Sequence, residues 1–186
     1  MMRVIAGKAR RLQLKTIPGD ATRPTTDKIK ETIFNMLMPI LPESRFLDIF
    51  SGSGGIAIEA LSRGASYAVL IEKNPRAVEM IRENLKTTHL AEDARIMPED
   101  FRYGLKKLEQ TEKEPFDIIF MDPPYNHQME NEVLDILENS SFIDEHTLII
   151  VEMSKETDIS TISDQIWELT KVKEYKTNKH IFLRRR

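Results

Sequence analysis

The chain has 186 residues and a mass of 21.6 kDa, with 40% hydrophobic and 31% charged side chains, which suits one sizeable domain and argues against disorder or a fibre. It has no cysteine, so a disulfide scaffold, a thiolate zinc site and a cysteine nucleophile are excluded, and its net charge of −3 decides nothing about partners. The longest apolar run, Tyr67 to Ile71, is far short of the roughly 20 residues that span a bilayer. The basic start also lacks a signal peptide's apolar stretch, so a cytoplasmic protein with no membrane partner is expected.

Residues 1–24 read as a basic extension. Met2 to Thr16 alternates loosely around Gly7, as a hairpin would, and carries Arg3, Lys8, Arg10, Arg11 and Lys15. Residues 1–30 hold eight basic side chains against two acidic ones, while the rest of the chain is acidic overall. A polyanion held at this end fits that asymmetry; an ordinary solvated segment fits it equally.

Residues 25–186 form the remaining unit of the same single domain. Lys28 to Leu41 predicts a leading helix, with Ile29, Ile33 and Leu37 at four-residue spacing. Arg45 to Phe50 predicts a buried strand, and Gly55 to Arg63 a helix closed by Gly64. Tyr67 to Ile71 is a second strand. Asn74 and Pro75 start a helix whose apolar stripe is Val78, Ile81 and Leu85. A weaker strand is expected at Ala94 to Met97, others at Phe116 to Met121 and Thr147 to Val151, and a helix from about Gln128 to Leu137.

Strands alternating with helices, and apolar on both faces, predict an α/β fold with a doubly wound, mostly parallel open sheet. Trp167 to Tyr175 and His180 to Arg184 resemble closing antiparallel strands joined at Thr177-Asn178. Arg184 to Arg186 reads as a solvated tail in preference to a phosphate contact, and Trp167 with Met36 and Met38 as core.

Two motifs carry chemistry. Gly52-Ser53-Gly54-Gly55-Ile56-Ala57 is a G-x-G-x-x-A turn between a strand and a helix, and Glu72 ends the next strand 20 residues after Gly52. Such a turn lets the backbone approach a ligand closely, and the following acid accepts ribose hydroxyl protons. No P-loop pattern is present. The glycine turn alone leaves a dinucleotide open.

The second motif is Asp122-Pro123-Pro124-Tyr125, directly after the strand that ends at Met121. Two prolines stiffen the turn and remove two N–H donors, leaving carbonyls and the Asp122 carboxyl as acceptors for an exocyclic amine. Tyr125 offers a flat surface for a base. A rigid turn capped by Asp122 and packed by Tyr125 is the plainer alternative. The four histidines are scattered without ligand spacing, so no metal is expected.

With Asp48 to Gly55, Glu72, Asp100 and Asp122 to Tyr125 in this order, the chain resembles class I S-adenosylmethionine-dependent methyltransferases of exocyclic base amines. More narrowly, Arg23-Pro24-Thr25-Thr26-Asp27-Lys28, the run Glu31 to Leu37, the run Glu59 to Ala65 and Val151-Glu152 resemble the bacterial 16S rRNA guanine-N2 methyltransferases of the RsmD type. The resemblance runs from Arg3 to about Glu152. It departs near the C-terminus, where Tyr175-Lys176-Thr177 and Phe182 stand in place of a Tyr-Gly-x-Thr turn and a final aromatic strand.

That resemblance implies S-adenosylmethionine as methyl donor, S-adenosylhomocysteine as product and no metal. It makes Asp48 and Ser51 cofactor-binding residues and places Gly52 and Gly54 near the cofactor's methionine part, Glu72 on its ribose and Asp100 near its adenine. Arg23, Pro24 and Thr25 would help cover the methionine end. Asp122, Pro123, Pro124 and Tyr125 would hold the amine, and the basic hairpin would contact rRNA phosphates. The implied partner is 16S rRNA or the small ribosomal subunit, met by a monomer. The competing readings are a DNA N6-adenine or N4-cytosine methyltransferase, which 186 residues leave little room for, and a non-catalytic rRNA-binding assembly factor. An NAD-linked oxidoreductase is more distant, since no proton relay is evident.

Overall fold

The computed structural model describes residues 2–16, 27–124 and 129–186. The elements in chain order are β1 (Met2–Arg3), β2 (Gln13–Leu14), α1 (Asp27–Leu37), β3 (Arg45–Ile49), α2 (Gly55–Ser62), β4 (Tyr67–Ile71) and α3 (Pro75–Thr88). They continue as β5 (Ala94–Met97), α4 (Phe101–Thr111), β6 (Ile118–Met121), α5 (Met129–Glu138), β7 (Leu148–Ser154), β8 (Trp167–Glu174) and β9 (Asn178–Arg185).

The order across the main sheet is β5-β4-β3-β6-β7-β9-β8. The first five strands are parallel, and β9 and β8 close the edge antiparallel. The parallel strands are apolar on both sides because both faces of the sheet are covered. One face packs against the N-terminal hairpin, α1, α2 and α3, through Phe46, Leu70, Phe120 and Ile150. The other packs against α4, α5 and Trp167, through Leu47, Val69, Ile119 and Val151.

The hairpin is present, and its contacts explain its shape. β1 and β2 pair antiparallel, Met2 opposite Leu14. Gly7 has φ +82°, and a Cβ there would stand 1.8 Å from the Ser62 carbonyl oxygen, so only glycine permits this approach to α2. Glu59 of α2 is fully buried and accepts from the backbone N–H groups of Ile5 (2.8 Å) and Ala6 (3.0 Å). Lys30 and Arg63 pair with the same carboxylate, at 3.3 and 2.7 Å. Burial lowers the pKa of Lys30, and the Glu59 charge and hydrogen bond partly offset that effect.

Four expectations need correction. The leading helix ends at Leu37 rather than Leu41, because Pro39 disfavours helical geometry at Met38 and the chain turns there. Met38 is exposed, so only Met36 of that pair packs against the core. The strand expected from Phe116 begins at Ile118; Asp117 just before it accepts from the Arg45 N–H through its side chain at 2.7 Å. The terminal arginines are not a solvated tail. Arg185 donates to the carbonyls of Glu138, Ser140 and Ile143, and Arg186 to that of Asp164.

Helix α4 lies where the sequence suggested no element. Its stripe is Phe101, Gly104, Leu105 and Leu108, at helical spacing, with Asp100 as N-cap accepting from the Arg102 N–H at 3.1 Å. No helix among the described residues is long and apolar enough to cross a membrane.

Candidate active site

The C-terminal ends of β3, β4 and β6 open onto a crevice of about 230 Å³. In an open α/β sheet the ligand crevice lies at this edge, where the crossovers on either side of the first strand diverge. Phe50, Gly52, Ile71, Glu72, Asn74, Ala77, Glu99, Phe101, Asp122 and Pro124 are among its lining residues.

β3 ends in a sharp turn. Phe50 has φ +67°, rare for a bulky side chain, and its ring meets Phe101 at 5.1 Å between centroids. The turn is held by the Phe50 and Ser51 N–H groups, which both donate to the Ile71 carbonyl at 3.1 Å. Gly52 has φ +55°, and a Cβ there would meet nothing within 4 Å, so its backbone borders open space.

Glu72 fixes the two sides of the crevice together. One carboxylate oxygen accepts from the Gly52 N–H and the other from the Asn74 N–H, each at 2.8 Å. Asn74 in turn caps α3 by accepting from the Arg76 N–H at 3.0 Å. A carboxylate with its backbone bonds so arranged keeps lone pairs for hydroxyl donors.

Asp48 is buried behind the turn and serves as the missing cap of α2. Gly54, the N-cap residue, has no side chain, and Asp48 Oδ2 accepts from the Ala57 N–H at 3.2 Å instead. Ser51 Oγ donates to the Asp48 carbonyl at 2.7 Å. Burial raises the Asp48 carboxyl to a pKa of about 8; the Ala57 N–H opposes this shift and the Glu72 charge adds to it.

Asp122 follows β6 and lines the crevice with Pro124, while Pro123 is buried. Burial pushes its carboxyl well above the usual carboxylate range, and the charges of Glu152 and Asp48 push the same way. A neutral carboxyl still offers a carbonyl oxygen as acceptor and adds an O–H donor.

Among the expected cofactor residues, Gly52 and Glu72 face the crevice, whereas Asp48, Ser51 and Gly54 shape it from behind. Asp100 stands at the start of α4. It caps α4 and pairs with Arg102 (3.2 Å) and Lys73 (3.6 Å), and it is Glu99 that lines the crevice. Burial of Asp100 acts to raise its pKa, but hydrogen bonds from Arg102 and the charges of Arg102 and Lys73 outweigh this and lower it. Arg23, Pro24, Thr25 and Tyr125 lie outside the described residues. Phe50 and Phe101 were not singled out from sequence; the signal available was their position beside Ser51 and Asp100. No cluster of His, Asp or Glu able to hold a metal occurs among the described residues.

Three of the five hairpin cations are already paired. Arg3 pairs with Asp27, Lys8 with Asp93 and Lys15 with Glu83, all at exposed positions. Arg10 and Arg11 are exposed and make no ion pair among the described residues.

This strand order, with the crevice at the glycine turn, defines a class I methyltransferase fold. The sequence pattern of the family described as "Conserved hypothetical protein 95" matches residues 2–184, and the chain belongs to that family, the RsmD type. It is 34% identical to "Ribosomal RNA small subunit methyltransferase D" of Escherichia coli over 92% of this chain and 84% of that protein. The protein of the same name from Buchnera aphidicola is 36% identical over 91% and 86%. The solved structure of yhhF from Escherichia coli superposes with a TM-score of 0.85 at 32% identity, covering 99% of this chain and 97% of that one. An RNA methyltransferase from Salinibacter ruber, solved with S-adenosyl-L-homocysteine, shares the fold at a TM-score of 0.66 and 15% identity over 86% and 92%.

Proposed function

We propose that this chain transfers a methyl group from S-adenosylmethionine to the exocyclic N2 amine of a guanine in small-subunit (16S) rRNA. The observation that carries the reading is the shared crevice. It sets Glu72 and the open backbone of Gly52 within one cavity with Asp122 and Pro124. The names of the small-subunit rRNA methyltransferase D relatives support the substrate class.

The donor set fits the cofactor. Glu72 presents acceptors for two ribose hydroxyls, Phe101 and Ile71 supply an apolar wall for a purine, and Gly52 leaves room for close approach. S-adenosylmethionine would supply a methyl group on a sulfonium, whose departure as a neutral sulfide requires no acid, and the proton that the methylated amine sheds would pass to water.

The protein's own task is to orient the amine. Guanine N2 is a weak nucleophile because its lone pair is delocalised into the ring. The Asp122 carbonyl oxygen and the Pro123 carbonyl accept its two N–H hydrogens, which fixes the direction of the lone pair. Most of the acceleration then comes from positioning. A paired base cannot reach so recessed a site, so the guanine is extruded, and the ring of Tyr125, next in sequence after Pro124, would serve as its stacking surface.

The test offers labelled S-adenosylmethionine with unmodified small-subunit rRNA, intact small subunits and duplex DNA, and identifies the methylated nucleoside. N2-methylguanosine in rRNA is expected. N6-methyladenine or N4-methylcytosine in DNA replaces the proposal, and no product with any substrate returns the chain to a binding role. On the cofactor side, Glu72→Ala is expected to weaken S-adenosylhomocysteine binding by about 1.5–3 kcal/mol for each hydroxyl hydrogen bond removed. Calorimetric titration checks this, and an unchanged affinity removes Glu72 from the ribose.

A further inference from the structure

Beside Asp122 lies a buried polar chain that the proposed methyl transfer does not yet use. Met121 of β6 is in register with Val151 of β7, so Asp122 and Glu152 follow one another across adjacent strands. Glu152 is opposite His180 of β9. His180 is fully buried, and its Nε2 stands 2.9 Å from one Glu152 oxygen. The Asn178 amide donates to the other oxygen at 2.5 Å. On its far side, His180 Nδ1 is 3.3 Å from the Tyr175 hydroxyl, and the two rings meet edge to face at 5.0 Å.

Buried polar groups of this kind cost free energy unless satisfied, and the cheapest arrangement satisfies every member in one direction. In that arrangement the Tyr175 hydroxyl would donate to Nδ1 and Nε2–H to Glu152. The row ends at the half-buried Tyr175 on one side and at Asp122 on the other.

We propose that Glu152, held by His180 and Asn178, is a positioning residue for the amine site: it fixes a second carboxyl beside Asp122 and thereby sets the protonation state in which Asp122 meets the base. The proposal rests on the reading of Asp122 as the amine acceptor. Burial is the first cause of the raised Asp122 carboxyl, and Glu152 is the larger of the two charges that add to it. Burial, followed by the Glu152 charge, likewise pushes the Tyr175 hydroxyl up to about 12, so it remains a donor at neutral pH.

The other charged groups near the chain are few among the described residues. Asp48 reaches Asp122 from β3. Lys173 of β8 is opposite His180 but exposed. On the same face of the sheet α1 contributes Ile33, Phe34 and Leu37, and its buried cation Lys30 is bound to Glu59 and the Arg3 carbonyl.

The test is the pH profile of single-turnover methylation, read with S-adenosylhomocysteine affinity and melting temperature. The limb of the profile that vanishes in Asp122→Asn belongs to Asp122. In Glu152→Gln that limb is expected to move to lower pH by about one pH unit, since a like charge has been removed from beside a half-buried acid. Cofactor affinity should not change. A limb that stays in place while turnover and melting temperature fall makes Glu152 merely structural and overturns the proposal, as does a profile that Asp122→Asn leaves unaltered.

His180 provides an independent pair should Glu152→Gln not fold. His180→Gln keeps a donor toward Glu152 and should hold the limb in place. His180→Leu lets the carboxylate turn away and should move the limb downward; equal profiles for the two variants overturn the proposal. A fully active Asp122→Ala enzyme would instead remove the amine site itself, so the two failures are distinguishable.

Discussion

Asp48 illustrates how one side chain serves both fold and crevice at a cost that depends on pH. Its carboxyl caps α2 from a neighbouring strand, and its pKa is raised to about 8, chiefly by burial. In the unfolded chain the same group titrates at about 3.9. The folded state therefore keeps a proton that the unfolded state releases, and the group's contribution to stability falls as pH rises from about 4 toward 8. Asp48→Asn keeps an acceptor for the Ala57 N–H and cannot ionise. Unfolding by denaturant at pH 5.5 and 7.5 is expected to show a shallower loss of stability with pH in the variant. The difference should approach about 1.4 kcal/mol for each pH unit in that window. Asp122 contributes in the same direction and should leave a residual slope in the variant. Identical slopes in parent and variant would mean that Asp48 is ionised in the folded protein.

Among the elements, the N-terminal hairpin shows how a segment with only two short strands is held firmly. Its strands pair over two residues each, too little for independent stability. The docking comes from α2 and α3. Glu59 receives two backbone N–H groups and two cations, Ser62 Oγ donates to the Ala6 carbonyl, and Asn84 of α3 bonds Lys15 at both its N–H and its carbonyl. The same Asn84 amide also donates to the Ser53 carbonyl in the glycine turn, so hairpin and crevice share a support. Glu59→Ala strands Lys30 and Arg63 without their carboxylate and is expected to cost about 3–5 kcal/mol in denaturant unfolding. Glu59→Gln keeps the volume and an acceptor and should cost less; equal losses would assign the whole effect to the lost charge. Most of these elements were readable from sequence because their signals are local. Asn74-Pro75 starts α3, and the run Tyr67 to Ile71 coincides with β4. Helix α4 escaped because its stripe is interrupted by Gly104, which reads as a breaker. In the fold it is a contact, since a Cβ there would crowd Ile71 at 3.0 Å. The docking by Glu59 and the Glu152–His180 chain were illegible for another reason: their partners lie far apart in sequence and meet only through the sheet order.

At the scale of the whole molecule, the charge asymmetry read from the sequence becomes a narrower statement. Lys8 and Lys15 reach Asp93 and Glu83 on the body, and Arg3 reaches Asp27. Exposed pairs of this kind contribute little to stability, commonly about 0–1 kcal/mol, so they remain exchangeable for phosphates. Arg10 and Arg11 need no exchange. They stand at the turn of the hairpin, where Arg11 takes φ +72°, and they are exposed. Met2 at the base of the same hairpin touches Ser53 of the glycine turn at 3.6 Å, whereas Gly7 and Lys8 beyond it lie against Ser62 at the far end of α2. If the hairpin contacts the rRNA backbone, replacing Arg10 and Arg11 together by Gln should weaken binding to all RNA sequences alike. The slope of log affinity against log salt should fall by about 0.7–0.9 for every phosphate that the variant no longer neutralises. Affinity for S-adenosylhomocysteine should hold, because neither side chain lines the crevice. Filter binding or fluorescence anisotropy over a range of salt concentrations checks both quantities. Parallel slopes for the double variant and the parent would make the two arginines ordinary surface charges, and the phosphate grip would then have to be sought among the lysines already paired with the body.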